Sequence, residues 1–381
     1  MKKSKSNEVR LESFFTIFVV FGLFGYIANI MGLGNMFNTI MKTAHDLLLN
    51  TVFFIMAIAV LTGALSKIFS EFGVIALINK LISPIMKPLY NLPGASALGI
   101  LTTFLSDNPA IIGLAKDKGF AKYFKNYQLP TLCNLGTSFG MGFIVWTFMS
   151  SLGHGTKYLK AASLGVLGAT IGSIVSVRIM MYFTKKYYED TDENLAVEDE
   201  NIVEEIEEQT LIERILNSML EGGKAGVQAG MDIIPGVVVI CTLVMILTST
   251  GTVQNGVMVY TGKAYEGVGL IPKLGAILNP ILKPLFGFSS SECIAFPITA
   301  LGSVGAALGL VPKLLEKNLI NGNDIAVFTA LGMCWSGYLS THVGMMDTLN
   351  ARKLAPKAIL SHTIGGLAAG ISAHFLFMLL G

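Results

Sequence analysis

The stretch SPIMKPLY at Ser83–Tyr90 returns 196 residues later as NPILKPLF at Asn279–Phe286. The same offset then holds without a gap for about fifty residues, pairing Leu105 with Leu301, Gly113 with Gly309, Leu135 with Leu331 and Gly136 with Gly332. One register kept that long makes the chain two copies of a single unit, and a repeat constrains architecture before any individual element does. The unit is built for lipid. Charged residues make up 14% of the chain, against about 25% in soluble domains. Hydrophobic residues make up 52%, and mean hydropathy is +0.62. The 41 glycines suit close helix contacts in a membrane. The expected fold class is an all-α polytopic membrane protein.

Each copy opens on an apolar helix, about 48–69 and about 231–250. A shorter amphipathic stretch follows at 74–90 and 268–286. Its lysines and prolines make it too punctuated to span, and it suits the membrane surface. Next comes an apolar segment with polar residues in its middle, 94–118 and 290–314. Two long apolar helices complete the unit, 126–150 with 157–183 and 323–346 with 356–380. An extra helix, 13–32, precedes copy one. The expected divisions are 1–44 for a cytoplasmic start and extra helix, 45–185 for repeat 1, 186–222 for an acidic cytoplasmic linker and 223–381 for repeat 2.

From Gly94 to Phe104 is eleven residues, about 16 Å of helix, or half a hydrocarbon core. A polar break and a second apolar stretch of similar length follow. The segment predicts a re-entrant helical hairpin that enters and leaves on one side, with its tip near the midplane. Each copy then crosses three times, or five times if the polar middle belongs to full spans, and both counts are odd. An odd number forces the copies into opposite orientations, the inverted repeat of many secondary transporters.

Lysine and arginine placement is an independent test. With the N-terminus in the cytoplasm, 18 basic residues fall inside and 8 outside, and Arg178 is left within a helix. The C-terminus is then outside. The first apolar run, Phe14–Met31, is long enough to span and has no small-residue cleavage site after it, so no signal peptide is read. A multi-pass protein of a bacterial plasma membrane is expected.

Glu189–Glu208 holds eleven acidic residues and no basic one. The remaining 14 acidic residues face all 27 basic ones, so the net charge of +2 hides a basic body. Such a run reads as a solvated linker. Cys133, Cys241, Cys293 and Cys334 sit in apolar surroundings without metal-finger spacing, which suits buried thiols acting as small hydrophobes.

Within FLSDNPAIIG, Phe104–Gly113, an aspartate and a proline stand together at bilayer depth. The acid is costly there and the proline breaks the helix. Broken backbone is tolerated only where it lines a cavity in protein. Ser106, Asp107 and Asn108 therefore form a candidate site whose oxygens suit Na⁺, a proton or a polar solute. The other reading is a loop outside the bilayer with Asp107 as an N-cap. Ser303 is the copy-two counterpart of Asp107, and the carboxylate is displaced to Glu292, which is either a site or a capping carboxylate after Ser289–Ser291.

LCNLGTSFGMGF and LGMCWSGYLSTHVG occupy equivalent helices, broken by mid-helix glycine, serine and threonine. There Asn134, Thr137, Ser138, Ser336, Ser340 and Thr341 either face the hairpin tips or serve helix packing. Trp335 stacks on a substrate ring or simply packs. His342 relays protons or is solvated. Catalytic residues, metal ligands and nucleic-acid contacts are not indicated: no nucleophile–base pair or His/Glu metal motif has workable spacing. A coupling Na⁺ or H⁺ is the one cofactor-like species expected. A small-molecule substrate and lipid are the expected partners, and homo-oligomerisation stays open.

At these residues the chain resembles the Gate-domain, or nucleoside-recognition, superfamily. That group includes concentrative nucleoside transporters, spore maturation membrane proteins and the membrane part of bacterial ferrous-iron transporters. LEGGKAGVQAGMDIIPGVVVICTLVMIL at Leu220–Leu247 is similar to its entry segment. FLSDNPAII falls where nucleoside transporters carry a Gly-Gln-Thr-Glu-Ala-Pro tip, and LGMCWSGYLSTHVG resembles their broken Gly-Phe-Ala-Asn-Phe-Ser-Ser helix. The resemblance implies an elevator-type carrier in which Asp107 and Asn108 match substrate-binding tip residues. The family's Asn-Glu-Phe motif, near Ser303, is absent, so the solute is either a nucleoside or another small polar molecule such as an amino acid or amine. Two alternatives are a non-transporting structural or signalling protein of the spore-maturation kind, and a metal-ion permease using Cys133, Cys334 and His342.

Overall fold

The structure is a computed structural model, and it describes residues 11–153, 156–188 and 210–381. The acidic run and the N-terminal basic residues lie outside that range.

Helix α1 (Leu11–Met31) precedes the first copy. Helices α2 (Leu33–Asp46) and α3 (Phe53–Glu71) are joined by a π-type segment, Leu47–Val52, into one 39-residue helix. This is longer than the expected 48–69, because the amphipathic α2 is helical as well. α4 (Val74–Tyr90) is the surface helix. α5 (Ser96–Leu105), α6 (Pro109–Lys116) and the short α7 (Lys118–Ala121) form the first hairpin, α8 (Thr131–Thr137) and α9 (Gly142–Ser151) a broken helix, and α10 (Leu159–Tyr187) closes the copy.

Copy two repeats the order with α11 (Leu211–Pro235), a π-type segment at Gly236–Cys241 and α12 (Thr242–Thr248). A small antiparallel hairpin, β1 (Thr252–Gln254) and β2 (Val257–Val259), comes next, then surface helix α13 (Leu270–Phe286). The second hairpin is a 3₁₀ turn with α14 (Ala295–Ala300) and α15 (Val304–Glu316). α16 (Gly322–Cys334) and α17 (Tyr338–Thr348) form the second broken helix, and α18 (Ala355–Leu380) ends the chain. The span read as a linker, 186–222, is helical at its described ends: α10 reaches Tyr187 and α11 starts at Leu211.

The repeat is written into the backbone. Left-handed residues fall 196 apart at three places: Gly73 (φ 71°) and Gly269 (φ 61°) start the surface helices, Asn91 (φ 57°) and Gly287 (φ 63°) end them, and Met141 (φ 52°) and Gly337 (φ 62°) restart the broken helices.

The inversion is visible in the packing of equivalent helices. A Cβ on Gly168 would meet Ala369 and Ala373, one on Gly172 would meet Gly365 and Ala369, and one on Gly365 would meet Ser176. The contact moves forward along α10 while it moves backward along α18, so the two run antiparallel. The long helices Leu33–Glu71 and Leu211–Thr248 also cross antiparallel, through α3 and α11, with Gly63 on Gly222, Ala59 on Gly226 and Met56 on Gly230. Contacts this close require small residues, since a Cβ on Gly172 would lie 2.4 Å from the Gly365 carbonyl oxygen.

Among the described residues, six segments are long and apolar enough to cross a membrane: Leu11–Met31, Leu33–Glu71, Thr131–Ser151, Leu159–Tyr187, Leu211–Thr248 and Arg352–Leu380. α16–α17, the counterpart of Thr131–Ser151, is interrupted at Trp335–Gly337.

The loops gather at two ends. At one, Arg214 pairs with Glu71 at 2.7 Å, Gln128 donates to the Asn91 carbonyl, and Lys185 and Lys357 lie over the rings of Tyr127 and Phe183. At the other, Lys42 donates to the Gly262 carbonyl, Lys313 lies over the Tyr265 ring, and Gly322 packs on Phe377. In the positive-residue count Arg214, Lys185 and Lys357 are expected inside and Lys42 and Lys313 outside. Arg178, which that count left inside a helix, donates to the Leu89 and Pro88 carbonyls at 2.7 and 2.6 Å. Its charge thus sits at the carbonyl end of α4, where a helix favours a cation.

Candidate functional site

Ten helical residues of α5 rise about 15 Å, half a hydrocarbon core. The backbone then leaves the helix at Ser106 (φ −130°, ψ −113°), and Pro109 restarts it at the first position of α6. Asp107 is no ordinary N-cap. Its Oδ1 accepts from the backbone N–H of the next residue, Asn108, at 2.7 Å and from the Asn108 amide at 3.0 Å.

The tip of this hairpin seats on both helix breaks at once. A Cβ on Gly140, beside the first break, would fall 2.2 Å from Asn108 Oδ1. A Cβ on Gly337, at the second, would fall 2.6 Å from Asn108 Nδ2. Asn108 Nδ2 also donates to Ser336 Oγ at 3.0 Å. Asn108 is 2% exposed, yet its Oδ1 has no partner. A buried carbonyl left unpaired costs roughly 1–3 kcal/mol.

Two further buried polar atoms have no partner: Trp335 Nε1 at the second break, and His342 Nε2 one turn into α17. His342 is fully buried, not solvated; it donates through Nδ1 to the Tyr338 carbonyl, and its ring centroid is 4.6 Å from that of His362. His362 in turn bonds Ser176 Oγ at 3.1 Å and the Cys334 carbonyl.

The expected site residues divide. Asp107, Asn108 and Ser336 come together, Thr341 stands one turn into α17 against Gly337, and Ser106 is exposed beside them. Asn134 points elsewhere, donating to Ser176 Oγ and the Ala358 carbonyl. Thr137 and Ser138 bond back to the Cys133 and Asn134 carbonyls at 2.7 Å, finishing the end of α8. Ser340 is exposed.

Ser303 caps α15, accepting from Ala306 N–H at 3.3 Å, and lies against Gly236. Asp107 is within electrostatic reach of Asp232, one turn earlier on the same helix. Both hairpin tips therefore approach residues 232–236. Glu292 sits apart, at the mouth of the second hairpin. Of the serines before it, Ser289 is held by Asp324, which accepts from Ser289 N–H at 3.1 Å and Ser289 Oγ at 2.5 Å.

Sequence reasoning did not single out Asp232 or His362. Asp232 carried a signal, an acid inside an apolar helix. The residues considered for metal binding do not converge: Cys133 Sγ points to the Thr341 carbonyl and Cys334 Sγ to those of Ser138 and Ala169. Among the described residues no group of three or more His, Cys, Asp or Glu could hold a metal ion.

No protein-family model matches the chain, and no curated protein matches it. Solved structures do. The chain is similar to CNTnw, a concentrative nucleoside transporter, in an inward-facing substrate-bound state, at 12% identity and a TM-score of 0.53, covering 97% of this chain and 85% of that one. A doubly substituted CNTnw in an outward-facing state matches at 12% identity and a TM-score of 0.51, covering 99% and 94%. The fold is therefore that of concentrative nucleoside transporters, in an all-α polytopic membrane protein.

Proposed function

We propose that the protein is a secondary carrier of a small polar solute, nucleoside-like or amino-acid- and amine-like, coupled to Na⁺ or H⁺. The observation that carries this reading is Asn108: a buried amide clamped between two helix breaks of opposite repeats, with its carbonyl oxygen unpartnered. Asp107 offers the adjoining carboxylate for an amine, a hydroxyl or the coupling ion. The similarity of fold to a transporter in inward- and outward-facing states supports alternating access. In this reading the hairpins and broken helices move as a unit against α3 and α11. The orientation follows the positive-inside bias, with a cytoplasmic N-terminus in a bacterial plasma membrane. Membership of the wider Gate-domain group is part of the same proposal.

The test is uptake into proteoliposomes of nucleosides, amino acids and amines under inward Na⁺ or H⁺ gradients. At least one solute accumulates with the wild type, and Asp107→Ala abolishes that gradient-driven uptake. Uptake unchanged by the substitution, or no uptake of any solute, overturns the reading.

A further inference from the structure

Glu292 does not join the hairpin tip, and its own surroundings are those of a second site. A cavity of about 190 Å³ opens at the end of the molecule where the second hairpin begins. This is below the roughly 300–1,000 Å³ of pockets for drug-sized ligands, so it takes a small solute. Its walls come from two parts of the fold: Thr248–Thr250 at the C-terminal end of α12 on one side, and Glu292 with Lys313 and Lys317 of the second hairpin on the other. Met245 and Leu314 contribute apolar surface.

The charges are arranged by sign. Lys313 is already held by Glu316 at 2.8 Å and by the Tyr265 ring at 4.5 Å. Lys317 donates to Ser249 Oγ at 3.3 Å, a single weak bond for a group with three donors. Glu292 accepts from the neighbouring Ser291 hydroxyl at 3.1 Å. Among the described residues Glu292 and Lys317 are in no ion pair within 4.0 Å, and Lys317 lies in the fields of Glu316, Lys313 and Glu292. A carboxylate and an ammonium thus share one small cavity without neutralising each other.

We infer that this cavity binds a small zwitterion of the α-amino-acid class, with the ligand carboxylate on Lys317 and its ammonium on Glu292. A lone anion leaves Glu292 unmatched and a lone cation leaves Lys317 unmatched, so the site discriminates by charge pairing as well as by size. Because its walls belong to α12 and to the second hairpin, an occupant also ties these two elements together. The binding claim stands apart from transport.

The test is thermal-shift titration of the purified full chain with L-alanine, ethylamine and propionate, on wild type, Glu292→Gln, Lys317→Met and Asp107→Ala. A ligand that binds only the folded state raises the melting temperature. L-alanine raises that of the wild type and ethylamine and propionate do not. Glu292→Gln and Lys317→Met each weaken the alanine response at least tenfold, and Asp107→Ala retains it. If either variant fails to fold, the comparison of alanine with its two one-charge analogues on the wild type decides. Equal responses to propionate or ethylamine, no response to alanine, or an alanine response lost only in Asp107→Ala overturns the proposal. Alanine binding without uptake of any solute leaves this site standing and removes the carrier reading; uptake without alanine binding does the reverse.

Discussion

Asn108 shows how little room the centre of the molecule leaves. Two glycines, Gly140 and Gly337, make space for its amide, and Gly337 also needs its left-handed backbone at φ 62°. Gly337→Ala therefore carries the left-handed penalty of about 1–2 kcal/mol together with a clash on Asn108 and Thr341. It is expected to lower the melting temperature and to weaken solute uptake. Gly113→Ala is the matched control: nothing lies within 4 Å of its Cβ position, and alanine in a helix gains about 0.5–1 kcal/mol over glycine. Its melting temperature should hold or rise. Asn108→Ala removes both donors and the unpaired carbonyl, and it is expected to cut uptake at least tenfold while the protein still folds.

Asp107 and Asn108 were legible in the sequence because a polar pair before proline has few other uses inside an apolar segment. Asn134, Thr137 and Ser138 were not legible in the same way. Whether such side chains face a cavity, a neighbouring helix or their own backbone depends on how each helix is rotated in the bundle, which a single strand of sequence does not carry. His362 is fixed by partners on three other elements, none near it in sequence.

Among the elements, the surface helices were the most legible. α4 matches its expected bounds and α13 starts two residues late, because glycine and proline punctuate both. The β1–β2 hairpin was missed although Asn255-Gly256, a strong hairpin turn signal, stands at its centre. The expected elements on either side were an apolar helix to about 250 and an amphipathic stretch from 268.

The segment after β2 is pinned to α2. Tyr265 donates to Asp46 Oδ2 at 2.5 Å, and Thr43 Oγ1 accepts from the Tyr265 backbone N–H. Burial, with the Asp46 carboxylate beside it, holds the Tyr265 phenol well above its usual pKa, so it remains a donor throughout the neutral range. Tyr265→Phe should cost about 1.5–3 kcal/mol, the range for a hydrogen bond to a charged group, read as a lower melting temperature. The antiparallel contact of α10 with α18 is the more sensitive. Gly172→Val forces side-chain atoms into the Gly365 carbonyl and Ala369, and overpacking of this kind costs about 1–3 kcal/mol or more. Loss of folded protein on size-exclusion chromatography is the expected readout.

At the scale of the whole molecule, two units of odd crossing number had to be inverted, and the antiparallel contacts of α3 with α11 and of α10 with α18 are how that inversion is built. The polar tip of the first hairpin then falls between the breaks of both repeats, where neither repeat alone makes a site. The direct measurement is thiol labelling of Ser106→Cys in sealed vesicles with a membrane-impermeant reagent. The four native cysteines are buried, which keeps the background low. Labelling of Ser106→Cys that the transported solute suppresses, against unprotected labelling of Lys263→Cys on a surface loop, is the predicted result. Labelling of Ser106→Cys as indifferent to solute as the loop control would place the tip in bulk water, and the account of an internal site would fail.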